Sequence, residues 1–259
     1  KNSLGKNPEP TLVVICFGMG VWIGGLMTYK AIEIAALRLN YPLSIITPGI
    51  NKKEIFNALK NLASQYKNII LVGYPPFIKD IIDESPLNGL NTKRLNIKLI
   101  FAAEAFTENF RDYLAEKANI KNVYLDTMNI YGTADIGAMA HETPLSILIR
   151  RIASKNPSLF NDVFGSIVKT PTLAQFNPMF INFECVNGDI ILTGKNEVPL
   201  VRYSVGDHGG VYSYNDLFAI LKKHKINIIE EVKKAGIYNT LNQMPFVFVF
   251  ESYNNEGIF

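Results

Sequence analysis

Two short runs hold the residues best suited to chemistry. Asn129-Ile130-Tyr131-Gly132-Thr133-Ala134-Asp135 puts a phenol, a hydroxyl and a carboxylate within five residues, Tyr131 to Asp135. Some seventy positions later (roughly), Pro199-Leu200-Val201-Arg202-Tyr203-Ser204-Val205-Gly206-Asp207 ends on a second carboxylate. A tyrosine ring can stack on a flat ligand. A carboxylate can ligate a hard cation, and an ionised one is a natural acceptor for paired O–H donors. Either run alone also fits a turn at a strand end, where Gly and Asp are common for backbone reasons.

These residues need a scaffold, and the pattern before them supplies one. Strands are expected at Thr11–Phe17, Leu43–Thr47, Asn68–Val72, Ile97–Phe101 and Asn122–Leu125, and helices at Val21–Leu39, Lys52–Gln65, Phe77–Asp83 and Thr107–Lys117. Asn51 followed by Glu54 is a capping-box signature for the second helix. Alternation of this kind implies a parallel sheet covered on both faces. After Tyr131 the character changes. A helix is expected at Thr143–Ser154, and a hairpin of Met179–Glu184 with Asp189–Thr193 turns on Asn187-Gly188, a strong turn signal. A strand at Pro199–Ser204, an amphipathic helical stretch at Tyr214–Ala235 and a strand at Pro245–Phe250 complete the chain. The fold class is α/β: a doubly wound, mostly parallel sheet passing into a smaller antiparallel β-rich subdomain. The expected division is 1–140 and 141–259.

The bulk numbers bound the function. A chain of 259 residues with 48% hydrophobic and 19% charged residues can bury a sizeable core. A net charge of +3 without a Lys/Arg stripe argues against nucleic acid, and short pairs such as Lys222-Lys223 fit solvated helix faces. Cys16 and Cys185 each sit in an apolar run, as buried free thiols do, and no Cys/His cluster has zinc spacing. That fits a reducing, cytoplasmic setting. Thr11 to Tyr29 is uncharged over nineteen residues, which raises a membrane span. Its β-branched start, the Gly18-Met19-Gly20 break and the helical pattern after Met27 instead favour strand, turn and helix.

That glycine turn has three readings. It resembles a dinucleotide fingerprint, but the second strand ends Ile46-Thr47-Pro48-Gly49 without the acid that a ribose would need. Its glycines can serve close packing of helix on strand. Or it lines a pocket for an organic acid, a reading that draws on a family resemblance.

The two runs, in this order and separation, resemble core motifs of the adenylate-forming enzymes, specifically the phenylacetate–CoA ligase-like branch. Tyr131-Gly132-Thr133-Ala134-Asp135 is similar to that family's Tyr-Gly-x-Thr-Glu motif, with Ala134 for its threonine and Asp135 one methylene shorter than glutamate. Phe101-Ala102-Ala103-Glu104-Ala105 follows the plan of its Gly-Gly-Glu-Pro loop, with alanines for glycines. Gly188-Asp189-Ile190-Ile191-Leu192, then Arg202-Tyr203-Ser204-Val205-Gly206-Asp207, matches its Gly-Glu-Leu-Val strand and Arg-Tyr-x-x-Gly-Asp turn. Leu71–Pro76 and His141-Glu142-Thr143-Pro144 are similar too, so the resemblance runs from about Thr11 to Phe250.

The resemblance implies ATP-dependent activation of a carboxylic acid and transfer to coenzyme A. It implies Mg²⁺ on Asp135, with Thr133 beside it as a second catalytic residue. Adenine would lie against Tyr131, framed by Asn129, Ile130 and Gly132 and by the loop Ala103, Glu104 and Ala105. Asp207 would take the ribose hydroxyls, and Arg202 would support its turn. The implied partners are a small carboxylic acid, ATP and CoA, with neither nucleic acid nor membrane, and a homodimer is compatible with this. Phe17 and Trp22 suit an apolar or aryl acid, although core packing accounts for them equally. The family's phosphate loop and its C-terminal lysine domain are not seen. Ser3-Leu4-Gly5-Lys6 is at most a remnant of the first, and Glu251-Ser252 stands where a Gly-Arg is usual. The expectation is a core of a longer enzyme. The alternatives are a nucleotide-binding module without turnover and a membrane-anchored α/β protein.

Overall fold

The computed structural model describes residues 9–20, 23–165, 170–195 and 199–250. Trp22, Ser3–Lys6 and Glu251-Ser252 lie outside the described residues. In order, the elements are β1 (Thr11–Cys16), α1 (Ile23–Leu39), β2 (Leu43–Ile46), α2 (Lys52–Leu62), β3 (Asn68–Gly73), α3 (Pro75–Glu84), β4 (Ile97–Ala102), α4 (Glu108–Ala118) and α5 (Val123–Asp126). There follow β5 (Thr127–Thr133), β6 (Gly137–His141), α6 (Pro144–Ser154), α7 (Pro157–Phe164), β7 (Thr172–Gln175), β8 (Ile181–Val186), β9 (Asp189–Lys195), β10 (Pro199–Tyr212), α8 (Tyr214–Lys223), α9 (Ile228–Lys234) and β11 (Phe246–Phe250). Two compact units result: Lys1–Glu104 with Asn109–Met128, and Ala105–Glu108 with Asn129–Phe259.

In the first unit the strands run parallel in the order β2-β1-β3-β4. All six residues of β1 are buried, which is why its run is apolar on both faces rather than alternating. Val13 and Ile15 pack with Val72, Tyr29 and Ile32, so α1 covers that face. The other face meets α3: a Cβ on Gly73 would lie 2.9 Å from Ile78 Cδ1 and 3.1 Å from Cys16 Cβ. Burying each such aliphatic side chain contributes about 1.5–3 kcal/mol. Burial also pushes the Cys16 thiol up to about 12, so it is a packing residue and not a nucleophile. The Asn51 side chain accepts from the Glu54 N–H at 3.2 Å, capping α2 as expected. Its own N–H goes to the Pro48 carbonyl instead, so the capping box is only half made.

In the glycine turn, Gly25 makes the close approach. A Cβ there would meet the Gly18 carbonyl oxygen at 2.7 Å, which supports the packing reading of these glycines. Phe17 joins the cluster under α1. Among the described residues, no helix is long and apolar enough to cross a membrane.

The second unit is antiparallel, in the order β5-β6-β7-β11-β10-β9-β8. Asn187 and Gly188 both take positive φ (54° and 90°), as a tight I′ hairpin between β8 and β9 requires. Three expectations are corrected. Asn122–Leu125 is not a strand: Asn122 accepts from the N–H groups of Tyr124 and Leu125 and starts α5, and the strand comes after it, as β5. The stretch Tyr214–Ala235 is two helices, broken at Lys225 (φ 59°) and restarted by the Asn227 cap. Cys185 is exposed, because β8 ends the sheet and its last two residues face solvent. Pro199–Ser204 is the first part of a 14-residue strand, β10, with two irregularities in its pairing to β9. β6, α7 and β7 were not foreseen.

Candidate functional site

β5 alternates its side chains, so Asn129, Tyr131 and Thr133 share one face. Asn129 is buried: its side-chain amide donates to Thr172 Oγ1 at 3.1 Å, and its N–H donates to Glu142 Oε2 at 2.9 Å. Ile130 pairs with His141 across the hairpin. At Gly132 the pairing slips, and a Cβ would sit 2.5 Å from the Gly137 carbonyl oxygen, so only glycine allows the β5–β6 turn to fold this tightly. The turn projects Asp135 into solvent, with Thr133 at its base. The Thr133 hydroxyl is buried, with no hydrogen-bond partner among the described residues.

The second run lies on β10, and its irregularities aim it. Arg202 takes φ 48°, its N–H donates to Thr193 Oγ1 at 3.0 Å, and its guanidinium meets Glu184 at 3.2 Å. Gly206 takes φ 81° at the second slip. These bulges turn the strand so that both runs meet. The Tyr131 hydroxyl donates to Asp207 Oδ2 at 2.7 Å, and the Tyr203 hydroxyl reaches Asp135 Oδ2 at 3.3 Å. Each run thus lends a phenol to the other's carboxylate. Burial pushes the Asp207 carboxyl up, while the Tyr131 hydrogen bond and nearby His208 pull it down less strongly. Burial, then the Asp207 charge, raises the Tyr131 phenol, which stays protonated and remains a donor. Tyr131 is 8% exposed and lies in one buried cluster with Met139, Phe176 and Phe183, its ring centroid 6.1 Å from that of Phe183.

Behind the site lies a buried ionic network. Glu142 Oε1 accepts from Arg150 Nη1 at 2.7 Å, Arg150 also meets Glu108 Oε1 at 3.3 Å, and Arg151 meets Glu108 Oε2 at 3.1 Å. Arg150 is fully buried and lies over the Phe106 ring at 5.4 Å. The network holds β5 through Asn129, two residues from Tyr131. Sequence reasoning missed it. The available signal was Arg150 on the same helical stripe as Ile147 and Ala153, where a surface helix would carry an apolar residue.

Ala103 and Glu104 end the first of the first unit's two segments, beyond β4, and Ala105 opens the short segment of the second unit. Ala103 holds φ 77°, a left-handed conformation that suits glycine. Ala103→Gly is therefore expected to stabilise the protein by about 0.5–1 kcal/mol, strain relief of about 1–2 less the added freedom of the unfolded chain. Urea unfolding measures it, and a lower midpoint for A103G would show that the loop carries no such strain.

No family model matches the sequence, and no curated protein matches it. The chain has the fold of acyl-CoA ligases. It aligns with an open conformation of 2-hydroxyisobutyryl-CoA ligase in complex with 2-HIB-AMP and CoA at TM-score 0.55 and 16% identity, over 81% of this chain and 42% of that one. The same ligase in its postadenylation state in complex with 2-HIB-AMP gives TM-score 0.54 and 14% identity, over 80% and 41%. The chain spans about two fifths of the length of these ligases.

Proposed function

We propose that this chain is the central part of an AMP-forming acid–thiol ligase of the phenylacetate–CoA ligase-like branch, acting on an aryl or other apolar acid. The observation that carries the reading is the meeting of the two motifs, with Tyr131 bonded to Asp207 at 2.7 Å. Motifs matched only by chance would have no reason to converge. The fold shared with a ligase whose complexes contain 2-HIB-AMP and CoA supports it further.

In this reading a carboxylate oxygen attacks the α-phosphorus of ATP. The bond to the β-phosphate oxygen breaks, pyrophosphate leaves with the electron pair, and an acyl-adenylate remains. A CoA thiolate then attacks the acyl carbon and AMP departs. Asp207 accepts the ribose hydroxyls, and Asn129, Ile130, Tyr131 and Gly132 frame adenine. Asp135 is a single exposed carboxylate, and among the described residues no larger cluster of metal-binding side chains occurs. That donor set fits Mg²⁺, which takes one or two carboxylates beside phosphate oxygens. Mg²⁺ held there by Asp135, next to Thr133, would neutralise phosphate charge. Catalysis in such transfers is mainly positioning and charge stabilisation. The setting is cytoplasmic, where CoA and free thiols persist.

ATP–pyrophosphate exchange against a panel of aryl and alkyl acids tests this, run on the longest gene product that carries the sequence. Acid-dependent exchange that Asp135→Ala abolishes is expected. ATP binding without exchange for any acid would replace it with a nucleotide-binding module, a reading that the lost hydroxyl at Ala134 favours.

A further inference from the structure

The Tyr131 side chain is used in an unexpected way. Tyr131 is 8% exposed and belongs to one buried cluster with Met139, Phe176 and Phe183, its ring tilted on that of Phe183 with centroids 6.1 Å apart. Its hydroxyl spans 76 positions of sequence to Asp207 Oδ2. Asp207 follows Gly206 at φ 81° on a bulged strand, a backbone that does not by itself fix where a carboxylate points. A carboxylate offers about four lone-pair positions, so one phenol donor on Oδ2 leaves Oδ1 for paired hydroxyls of a ligand. The Tyr131 hydroxyl is itself held by the packed ring and by β5, which the Glu142–Arg150 network anchors through Asn129.

We propose that the Tyr131 hydroxyl is a positioning residue: it orients Asp207 so that the site selects a nucleotide with a vicinal 2′,3′-diol. This rests on the nucleotide reading above and assigns Tyr131's contribution to its hydroxyl more than to its ring face.

The test compares ATP with 2′,3′-dideoxy-ATP by calorimetric binding to the parent and to Tyr131→Phe, which deletes one oxygen and keeps the ring. The parent is expected to prefer ATP by roughly 10-fold or more, as hydrogen bonds to a charged group allow. In Y131F that preference should shrink by about 5-fold, while affinity for the dideoxy nucleotide stays within about 2-fold. Equal loss for both ligands would assign Tyr131 a stacking or purely structural role. An unchanged preference would show that Asp207 needs no orienting. Either result overturns the inference and leaves the nucleotide reading standing. Failure of the parent to bind either nucleotide overturns both. Should Y131F not fold, 4-fluorophenylalanine at position 131 fills the hydroxyl's space without donating, and the same outcomes apply.

Discussion

Glu142→Ala is expected to lower stability by about 3 kcal/mol, because it removes the nearer of the two carboxylates that Arg150 meets, leaving Glu108 at 3.3 Å, and takes the acceptor from a buried N–H. Arg150 is fully buried, and Glu142 is 2% exposed. Without Glu142 the guanidinium loses its 2.7 Å partner, and the Asn129 N–H loses its 2.9 Å acceptor. An orphaned buried N–H by itself costs about 1–3 kcal/mol. Domains of this kind have only about 5–15 kcal/mol in hand, so much of the second unit's stability rests on this contact. The urea midpoint should fall with little change in slope. The double variant Glu142→Leu with Arg150→Met removes both charges, leaves Glu108 its Arg151 partner at 3.1 Å, and should recover part of the loss. A single-variant loss below about 1 kcal/mol would show that water or other groups already satisfy Arg150.

Much of the fold was legible because its signals are local. β1 announces itself by a β-branched run buried on both faces, α2 by its Asn51 cap, and the β8–β9 hairpin by Asn187-Gly188. The failures are also physical. In Asn122–Leu125 the strand propensity of Val, Tyr and Leu yields to a side-chain cap that satisfies two N–H groups. The pattern after Tyr214 is helical on both sides of Lys225, and this periodicity hides the break there although Asn227 and Glu230 carry a cap signature for a second helix. For the site, motif order singled out Tyr131, Asp135 and Asp207. Nothing local discloses that Tyr131 bonds to Asp207, or Tyr203 to Asp135. Those contacts depend on bulges at Arg202 and Gly206 that reorient β10, and on a buried network whose charges come from two helices, α4 and α6, and the loop before α6. Stability and site are therefore coupled: the Glu142 pair that holds the second unit also fixes the strand that carries Tyr131.

Asp207→Asn is expected to move stability and binding in opposite directions. Burial holds the Asp207 carboxyl above its ordinary range, with the Tyr131 bond and His208 only partly opposing it. A carboxyl raised in the fold destabilises the fold wherever it is ionised. The penalty is full above the raised folded value and vanishes below the unfolded value of about 3.9. Asparagine keeps an oxygen to accept from Tyr131 and carries no charge, so D207N should melt higher than the parent at pH 7. The advantage should shrink as pH falls through the raised value and disappear below about pH 4. Thermal scans across that range measure it, and a lower melting point for D207N at pH 7 would mean that the charged hydrogen bond outweighs desolvation. Binding should go the other way. If Asp207 holds the ribose as proposed, exchanging an ionised acceptor for a neutral amide is expected to weaken ATP by about 10- to 100-fold, as the loss of charge-assisted bonds does. A variant more stable yet unable to hold nucleotide would mark Asp207 as a residue kept for its ligand. A carboxylate held half-buried against its own solvation cost, with one oxygen already engaged by Tyr131, fits a site whose remaining oxygen is meant for hydroxyls from outside the protein.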